Sequence, residues 1–193
     1  FYIDKHIPCM FYNRFTRFRP VIIYFHGNSD DIGKSFAYCS QLHQLLGFAI
    51  IAVEYPGYSI HEGNPSENAI FRDADQVLDF TVHRLGVPIN EIILVGASMG
   101  SVVALYLASR NQDIGMLILI SAIESLKRVI EDSLGSFLSS LAAGVLGDNK
   151  FDSISRACFI TCPLLMMHGL RDDIAGLKHS YALFGRIGLL RKI

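Results

Sequence analysis

Residues 91–109 read EIILVGASMGSVVALYLAS, and this stretch decides the fold. Residues 92–95 are all apolar and mostly β-branched, which is typical of a strand buried on both faces of a parallel sheet. Residues 96–100 have the sequence Gly-Ala-Ser-Met-Gly, and small or apolar residues then continue over the length of a helix. The stretch therefore predicts a strand, a sharp turn and a helix.

The turn at residues 96–100 matches Gly-x-Ser-x-Gly, the pattern of a nucleophile elbow. In such a turn the glycines let two backbones approach closely, and the serine hydroxyl is lifted above the end of the sheet. We therefore expect Ser98 to be a nucleophile and Met99 to offer its backbone N–H to the oxyanion of a tetrahedral intermediate. The alternative is an ordinary helix N-terminus, with the serine as its cap and a glycine for close packing.

The composition is that of one globular domain over residues 1–193. Hydrophobic residues make up 51% of the chain and charged residues 18%, and the formal net charge is −1. This charge balance, without a long basic run, argues against nucleic acid as a partner. No apolar run approaches the ~18 residues that span a membrane, and the start of the chain does not resemble a signal peptide.

The cysteines indicate neither a disulfide framework nor a metal site. Four cysteines are too few for such a framework in a chain of this length. Cys158 and Cys162 are close in sequence, but no second pair with zinc-ligand spacing accompanies them. We therefore expect buried thiols, no metal, and a reducing compartment such as the cytoplasm.

Apolar runs and amphipathic patterns alternate along the rest of the chain. Strands are expected at residues 21–25, 48–53, 115–120 and 163–167, and helices at residues 32–46, 67–85, 126–146 and 174–186. This alternation predicts an α/β fold with a parallel sheet. Residues 1–20 are consistent with a hairpin at the sheet edge. Arg14, Arg17 and Arg19 would then lie on its solvated face, the alternative being a membrane or phosphate-binding patch.

Polar residues follow several of these strands, at the end of the sheet where parallel strands form ligand sites. After residues 21–25, Asn28 is expected to supply a second backbone N–H to the oxyanion. We interpret His26 as a residue that holds this loop and not as the general base. The loop after residues 48–53 lies beside the same site, and Tyr58 is our candidate there for substrate contact.

Asp172 is the candidate acid of a catalytic triad. It follows the strand at residues 163–167 and comes after Ser98 in chain order, as a Ser-Asp-His arrangement requires. The alternative is a loop aspartate that caps the next helix, and Asp173 is better placed for that role. Glu124, after residues 115–120, is a competing triad acid that we rank below Asp172.

The amphipathic pattern at residues 126–146 predicts a helical lid over residues 125–147. In that interpretation Phe137 and Leu141 line a groove for an acyl chain. The alternative is plain packing of this helix against the body of the domain.

Taken together, GASMG, FHGNSDDIG, VEYPGYSIHEGNPSE and PLLMMHGLRDDIAGLKH resemble the α/β-hydrolase family. Within it they look like the branch that contains protein depalmitoylases and related serine esterases. The resemblance implies a mostly parallel sheet with helices on both faces, in three layers. It also implies hydrolysis of acyl esters or thioesters of an acylated protein or lipid-like substrate, without a metal or organic cofactor. Depalmitoylases of the branch carry an N-terminal cysteine cluster; this sequence does not show one, so membrane contact is not indicated.

The family places its catalytic histidine after one further strand. Beyond the helix at residues 174–186, only residues 187–193 remain, which are too few for a strand and a histidine loop. We expect His179 to occupy an exposed helix position, and we expect the chain to lack its general base and to have little activity. Either the sequence is truncated, which we favour because it also begins with Phe1, or the fold binds acyl groups without hydrolysing them. A serine peptidase of the same fold is a third possibility.

Overall fold

A seven-stranded sheet forms the centre of the computed structural model, which describes residues 1–4, 6–13, 20–132 and 151–188. The strands are β1 Tyr2–Ile3, β2 Ile7–Tyr12, β3 Val21–Phe25, β4 Ala49–Val53, β5 Ile92–Ala97, β6 Met116–Ile120 and β7 Leu164–Met167. Their order in the sheet is β1-β2-β4-β3-β5-β6-β7. Strands β3 to β7 are mutually parallel, whereas β1 and β2 form an antiparallel edge. The parallel α/β sheet and the edge hairpin are therefore confirmed.

Five helices accompany the sheet in the described residues. They are α1 Phe36–Leu46, α2 Glu67–Asp79, α3 Met99–Arg110, α4, which begins at residue 126 and is described to residue 132, and α5 Lys178–Gly188. A π-helical turn, Phe80–Arg84, continues α2, and short 3₁₀ turns lie at Ile89–Glu91 and Ala157–Phe159. Within the described part of the chain, no helix combines the length and the apolar character that a membrane crossing requires.

The helices cover both faces of the sheet. Along β3, Val21, Ile23 and Phe25 belong to a large core shared with α2 and α3. Ile22 and Tyr24 point to the opposite face and pack in a smaller core that includes Cys39 of α1. This alternation explains why the strand is apolar at every position: neither of its faces meets water.

Two helices begin four residues later than their sequence patterns predict. The segment before α1 is a turn in which Asp31 Oδ1 accepts a hydrogen bond from Lys34 N at 2.8 Å. The segment before α5 is likewise a turn, in which the Asp172 carboxylate accepts backbone hydrogen bonds. Aspartate side chains thus compete with the helical hydrogen-bond pattern in both segments. The predicted positions of Phe137, Leu141, Arg14, Arg17 and Arg19 lie outside the described residues.

The register of the sheet brings the ends of the parallel strands to one level. Phe25 of β3 pairs with Gly96 of β5, and Ala97 pairs with Ile120 of β6. Ile120 in turn pairs with Met167 of β7. The segments that follow β3, β5, β6 and β7 therefore leave the sheet side by side.

Candidate active site

Ser98 lies between β5 and α3 in a backbone conformation that is rare for a residue with a side chain. Its φ is 51° and its ψ is −117°. Such a conformation costs of the order of 1–3 kcal/mol and persists only where the surroundings hold it. Ser98 N donates to Ile120 O at 2.8 Å, and Ser98 O accepts from Ser101 N at 2.9 Å and from Ser101 Oγ at 2.5 Å. The turn is thus fixed from both β6 and α3.

The two glycines of the turn are required by close backbone contacts. A Cβ atom at Gly96 would overlap the Gly100 carbonyl group. A Cβ atom at Gly100 would overlap the Phe25 carbonyl at the end of β3. The Gly-x-Ser-x-Gly pattern therefore has a steric cause here, because α3 is pressed against both β3 and β5.

The loop at residues 26–32, which follows β3, passes directly beside the serine. A Cβ atom at Gly27 would lie 3.5 Å from Ser98 Cβ. The hydroxyl of Tyr58 donates to Asn28 Oδ1 at 2.6 Å. The Tyr58 hydroxyl oxygen also lies 4.0 Å from Met99 Sδ. Burial, with the nearby Glu54 carboxylate, raises the pKa of Tyr58, so its phenol remains a donor. The structure thus groups Asn28, Tyr58 and Met99 next to Ser98.

The backbone N–H of Met99 is available in this arrangement for a simple reason. Met99 is the first residue of α3. The first N–H groups of a helix have no preceding helical carbonyl to donate to. This N–H can therefore serve an anionic oxygen held near Ser98, and the positive end of the α3 dipole acts in the same direction.

His26 is fully buried and holds the 26–32 loop. Its Nε2 is 2.9 Å from Glu54 Oε1, and its Nδ1 is 2.9 Å from Gly27 O. The ring of Tyr55 lies 4.2 Å away between centroids. These contacts agree with the interpretation of His26 as a loop-holding residue. Glu54 begins the loop that the sequence places beside the site, but no role was predicted for it, although an acidic residue at the end of an apolar strand is a signal of one.

Asp172 lies after β7 and faces the same end of the sheet. Its Oδ1 accepts hydrogen bonds from Ile174 N at 3.1 Å and Ala175 N at 2.9 Å. Burial by itself would raise the pKa of Asp172. Hydrogen bonds from Ala175, the Ser121 side chain and Ile174, together with the nearby His168 ring, outweigh that effect and hold the pKa below its ordinary value.

Asp172 therefore combines both interpretations that the sequence left open. It makes the backbone contacts of a loop cap, the role that the sequence predicts for Asp173, which is exposed in the structure. It is also an ionised carboxylate that accepts a hydrogen bond from the Ser121 side chain. Ser121 directly follows Ile120, and the Ile120 carbonyl accepts from Ser98 N. Asp172 is therefore near the level of the serine. His168 Nε2 is 3.6 Å from Asp172 Oδ2 and 2.6 Å from Ala175 O.

The expectation that His179 is exposed is wrong. Its side chain is fully buried, with Nε2 3.1 Å from Asp132 Oδ2 and Nδ1 3.7 Å from Glu124 Oε1. Burial lowers the pKa of His179, although both carboxylates oppose this effect. Lys178 Nζ binds the other oxygen of Asp132 at 2.6 Å and lowers the pKa of that carboxyl. Glu124, the competing triad acid, thus belongs to a cluster between α4 and α5.

The chain has seven histidines, all of them in described segments. The contacts of His26, His168 and His179 are given above. Each of the other four rings has a polar partner of its own: Asp4 O for His6, Phe48 O for His43, Glu54 O for His61 and Asp79 for His83. Within the residues that the structure describes, no hydrogen bond joins Ser98 Oγ to any of these rings.

Comparison with known proteins places this chain in a family. The profile of the family described as "alpha/beta hydrolase fold" matches residues 20–157. Alpha/beta hydrolase domain-containing protein 17C of Mus musculus is 27% identical over 183 residues, covering 95% of this chain and 54% of the mouse protein. Alpha/beta hydrolase domain-containing protein aho-3 of Caenorhabditis elegans is 29% identical over 165 residues, covering 86% and 47%. The chain thus spans about half the length of these curated relatives.

Solved structures show the same fold. An alpha-beta hydrolase from Vibrio vulnificus superposes with a TM-score of 0.75 at 21% identity, covering 88% of this chain and 62% of that protein. Acetyl xylan esterase 1 from Thermoanaerobacterium gives a TM-score of 0.67 at 18% identity, covering 94% and 69%. At these identities the likeness concerns the fold alone.

Proposed function

Since this chain belongs to the α/β-hydrolase fold family, we propose that it carries the nucleophile of a serine hydrolase that cleaves acyl esters or thioesters. The substrate would be an acylated protein or a lipid-like molecule. The observation that carries this proposal is the conformation of Ser98, held at φ 51° between two sterically required glycines. A serine in a strained turn at the end of a parallel sheet has the geometry of a nucleophile elbow, which presents its hydroxyl to a substrate carbonyl.

In the proposed reaction, Ser98 Oγ attacks the substrate carbonyl and loses its proton to a general base. The negative charge on the carbonyl oxygen is stabilised by the backbone N–H groups of Asn28 and Met99. The tetrahedral intermediate collapses to an acyl-serine as the alcohol or thiol leaves with a proton. Water then attacks the acyl-serine by the same route and releases the carboxylic acid.

Asp172 would orient the imidazole that acts as general base and stabilise its charged form. An aspartate carboxylate is ionised at neutral pH, and the lowered pKa of Asp172 keeps it so despite its partial burial. In the described structure none of the seven histidines forms a hydrogen bond with Ser98 Oγ. We therefore propose that the base lies outside residues 1–193 and that this chain alone hydrolyses slowly.

The test compares matched short-chain acyl thioesters, esters and amides as substrates of the full-length protein. We expect thioester and ester hydrolysis that exceeds amide hydrolysis and that Ser98→Ala reduces by ~10³-fold or more, as for other serine nucleophiles. Hydrolysis that survives Ser98→Ala would refute the proposal. Faster cleavage of the amide would indicate a peptidase, and acyl binding without Ser98-dependent turnover would indicate a non-catalytic binding protein.

A further inference from the structure

We propose that Glu54 is the positioning residue of the oxyanion site, because its carboxylate holds both ends of the 26–32 loop. This inference rests on the proposed function, because it assigns Glu54 to the orientation of the Asn28 N–H. Glu54 does not contact the substrate in this role. It acts through His26, Tyr55 and the backbone.

The Glu54 carboxylate is fully buried and is bonded on both oxygens. Its Oε1 lies 2.9 Å from His26 Nε2, at the beginning of the loop, and accepts from Tyr55 N at 3.1 Å. Its Oε2 accepts from Ile32 N at 3.1 Å, at the end of the loop. One side chain from the end of β4 therefore fixes both points where the loop leaves and rejoins the body of the protein.

The same contacts decide where the Asn28 N–H points. His26 Nδ1 is 2.9 Å from Gly27 O, and Asp30 N also donates to that carbonyl at 3.1 Å. In a trans peptide the C=O and the following N–H point in opposite directions. A Gly27 carbonyl held toward His26 thus directs the Asn28 N–H away from the interior, and Glu54 orients the His26 ring that does this.

Tyr55 makes a second contact that fixes the 26–32 loop. Its hydroxyl donates to His26 O at 2.8 Å, and its side chain is almost completely buried. Burial raises the pKa of Tyr55, so the phenol remains a hydrogen-bond donor. The carbonyls of His26 and Gly27 are therefore both engaged, and the path of the loop beside Ser98 is set by the residues beneath it.

Glu54→Gln is the sharpest single test, because glutamine has the same shape but only one acceptor oxygen. Its NH₂ group must face a backbone donor, either Ile32 N on one side or Tyr55 N on the other, so glutamine cannot reproduce all of the contacts by which Glu54 holds the loop. In the full-length protein we expect kcat to fall by ~10–100-fold with little change in KM, because an oxyanion donor acts mainly on the transition state.

Glu67→Gln is the matched control. Glu67 is a buried glutamate that accepts from Phe151 N at 2.9 Å and lies 3.3 Å from the Arg156 guanidinium, and neither partner belongs to the 26–32 loop. We expect this variant to lower thermal stability without a comparable loss of kcat. Tyr55→Phe removes only the hydroxyl bond to His26 O, and it should lower kcat in the same sense but less. It keeps the test decisive if Glu54→Gln fails to fold.

Amide hydrogen exchange in residues 26–32 provides a readout that does not depend on activity. We expect faster exchange there in Glu54→Gln and Tyr55→Phe, with unchanged exchange in α3. Unchanged kcat and unchanged exchange in both variants would overturn the role of Glu54, and so would faster loop exchange at full kcat. Wild-type protein without Ser98-dependent hydrolysis would refute the proposed function, and with it the assignment of Glu54 to an oxyanion site. Exchange would then still show whether Glu54 holds the loop.

Discussion

At the scale of single residues, steric constraints on the glycines define the turn around Ser98. Only a residue without a side chain fits at Gly100, because its Cα faces the Phe25 carbonyl across the contact of α3 with β3. The sequence pattern predicted this constraint correctly, since the elbow is a local motif. It did not identify Glu54, because the pairing with His26 joins residues 28 positions apart. Such a pair becomes visible only when β3 and β4 lie side by side.

The first prediction concerns Gly100→Ala. The added methyl group must displace backbone atoms, so we expect a loss of about 3 kcal/mol or more of unfolding free energy, at the upper end of overpacking costs. Gly185→Ala is the matched control, because Gly185 lies within α5 and a Cβ atom there meets nothing within 4 Å. That variant should be neutral or more stable by up to about 1 kcal/mol. Equal unfolding midpoints for the two variants in urea would contradict the account.

At the scale of elements, the sequence patterns identified the helices but placed the beginnings of α1 and α5 too early. Asp31 and Asp172 each bind backbone N–H groups of the turn that follows, which delays the start of α1 and α5. The same limitation explains the error at His179. The expectation of exposure rested on a polar residue within a short helix, yet Asp132 of α4 lies against this position and the ring is buried. Helical periodicity does not reveal such a contact between two helices.

The contact between α4 and α5 predicts a dependence of stability on pH. Because burial lowers the pKa of His179 in the folded protein, the unfolded chain binds its proton more readily. The contribution of the buried neutral ring is complete above the unfolded pKa of 6.5 and declines as the pH falls toward the folded pKa. The Glu124, Asp132, Lys178 and Arg128 side chains are the charged groups around it.

The measurement is the thermal midpoint between about pH 7.5 and about pH 5.5. We expect it to fall across this range, in part because the buried His179 ring resists protonation. His179→Gln should make this decline smaller, by roughly 2–4 °C for each kcal/mol of linkage in a protein of this size. His83→Gln is the control, since His83 is exposed and interacts with Asp79 on its own helical segment. An identical pH dependence in wild type and His179→Gln would show that His179 does not contribute.

At the scale of the whole molecule, the alternation of apolar runs and helical patterns was sufficient to predict a parallel sheet covered by helices. The limit of that reasoning is visible at β7. Residues 163–167 are as apolar as residues 21–25, yet in the described part of the chain Leu165 and Met167 are 41% and 43% exposed, whereas every residue of β3 is buried. An apolar sequence shows that a strand can be buried on both faces. The elements that pack against the strand decide whether both faces are covered.

The fold also explains why residues distant in sequence meet at one site. Parallel strands end at the same edge, so the segments after β3, β5 and β7 bring Asn28, Ser98 and Asp172 to one end of the sheet. Chain order and strand ends were enough to propose these three residues. The side-chain contacts that hold them, above all those of Glu54 and Ser121, depend on the register and could not be read from the pattern.

The central claim is that Ser98 is a nucleophile, and covalent trapping tests it most directly. The full-length protein is treated with a fluorophosphonate, digested and analysed by mass spectrometry, with Ser98→Ala as the control. The account predicts a phosphonate adduct on the peptide that contains Ser98, loss of hydrolysis in proportion to the adduct, and neither effect in the Ser98→Ala variant. An active protein whose adduct lies on another residue, or that hydrolyses acyl esters while Ser98 remains unmodified, would contradict it.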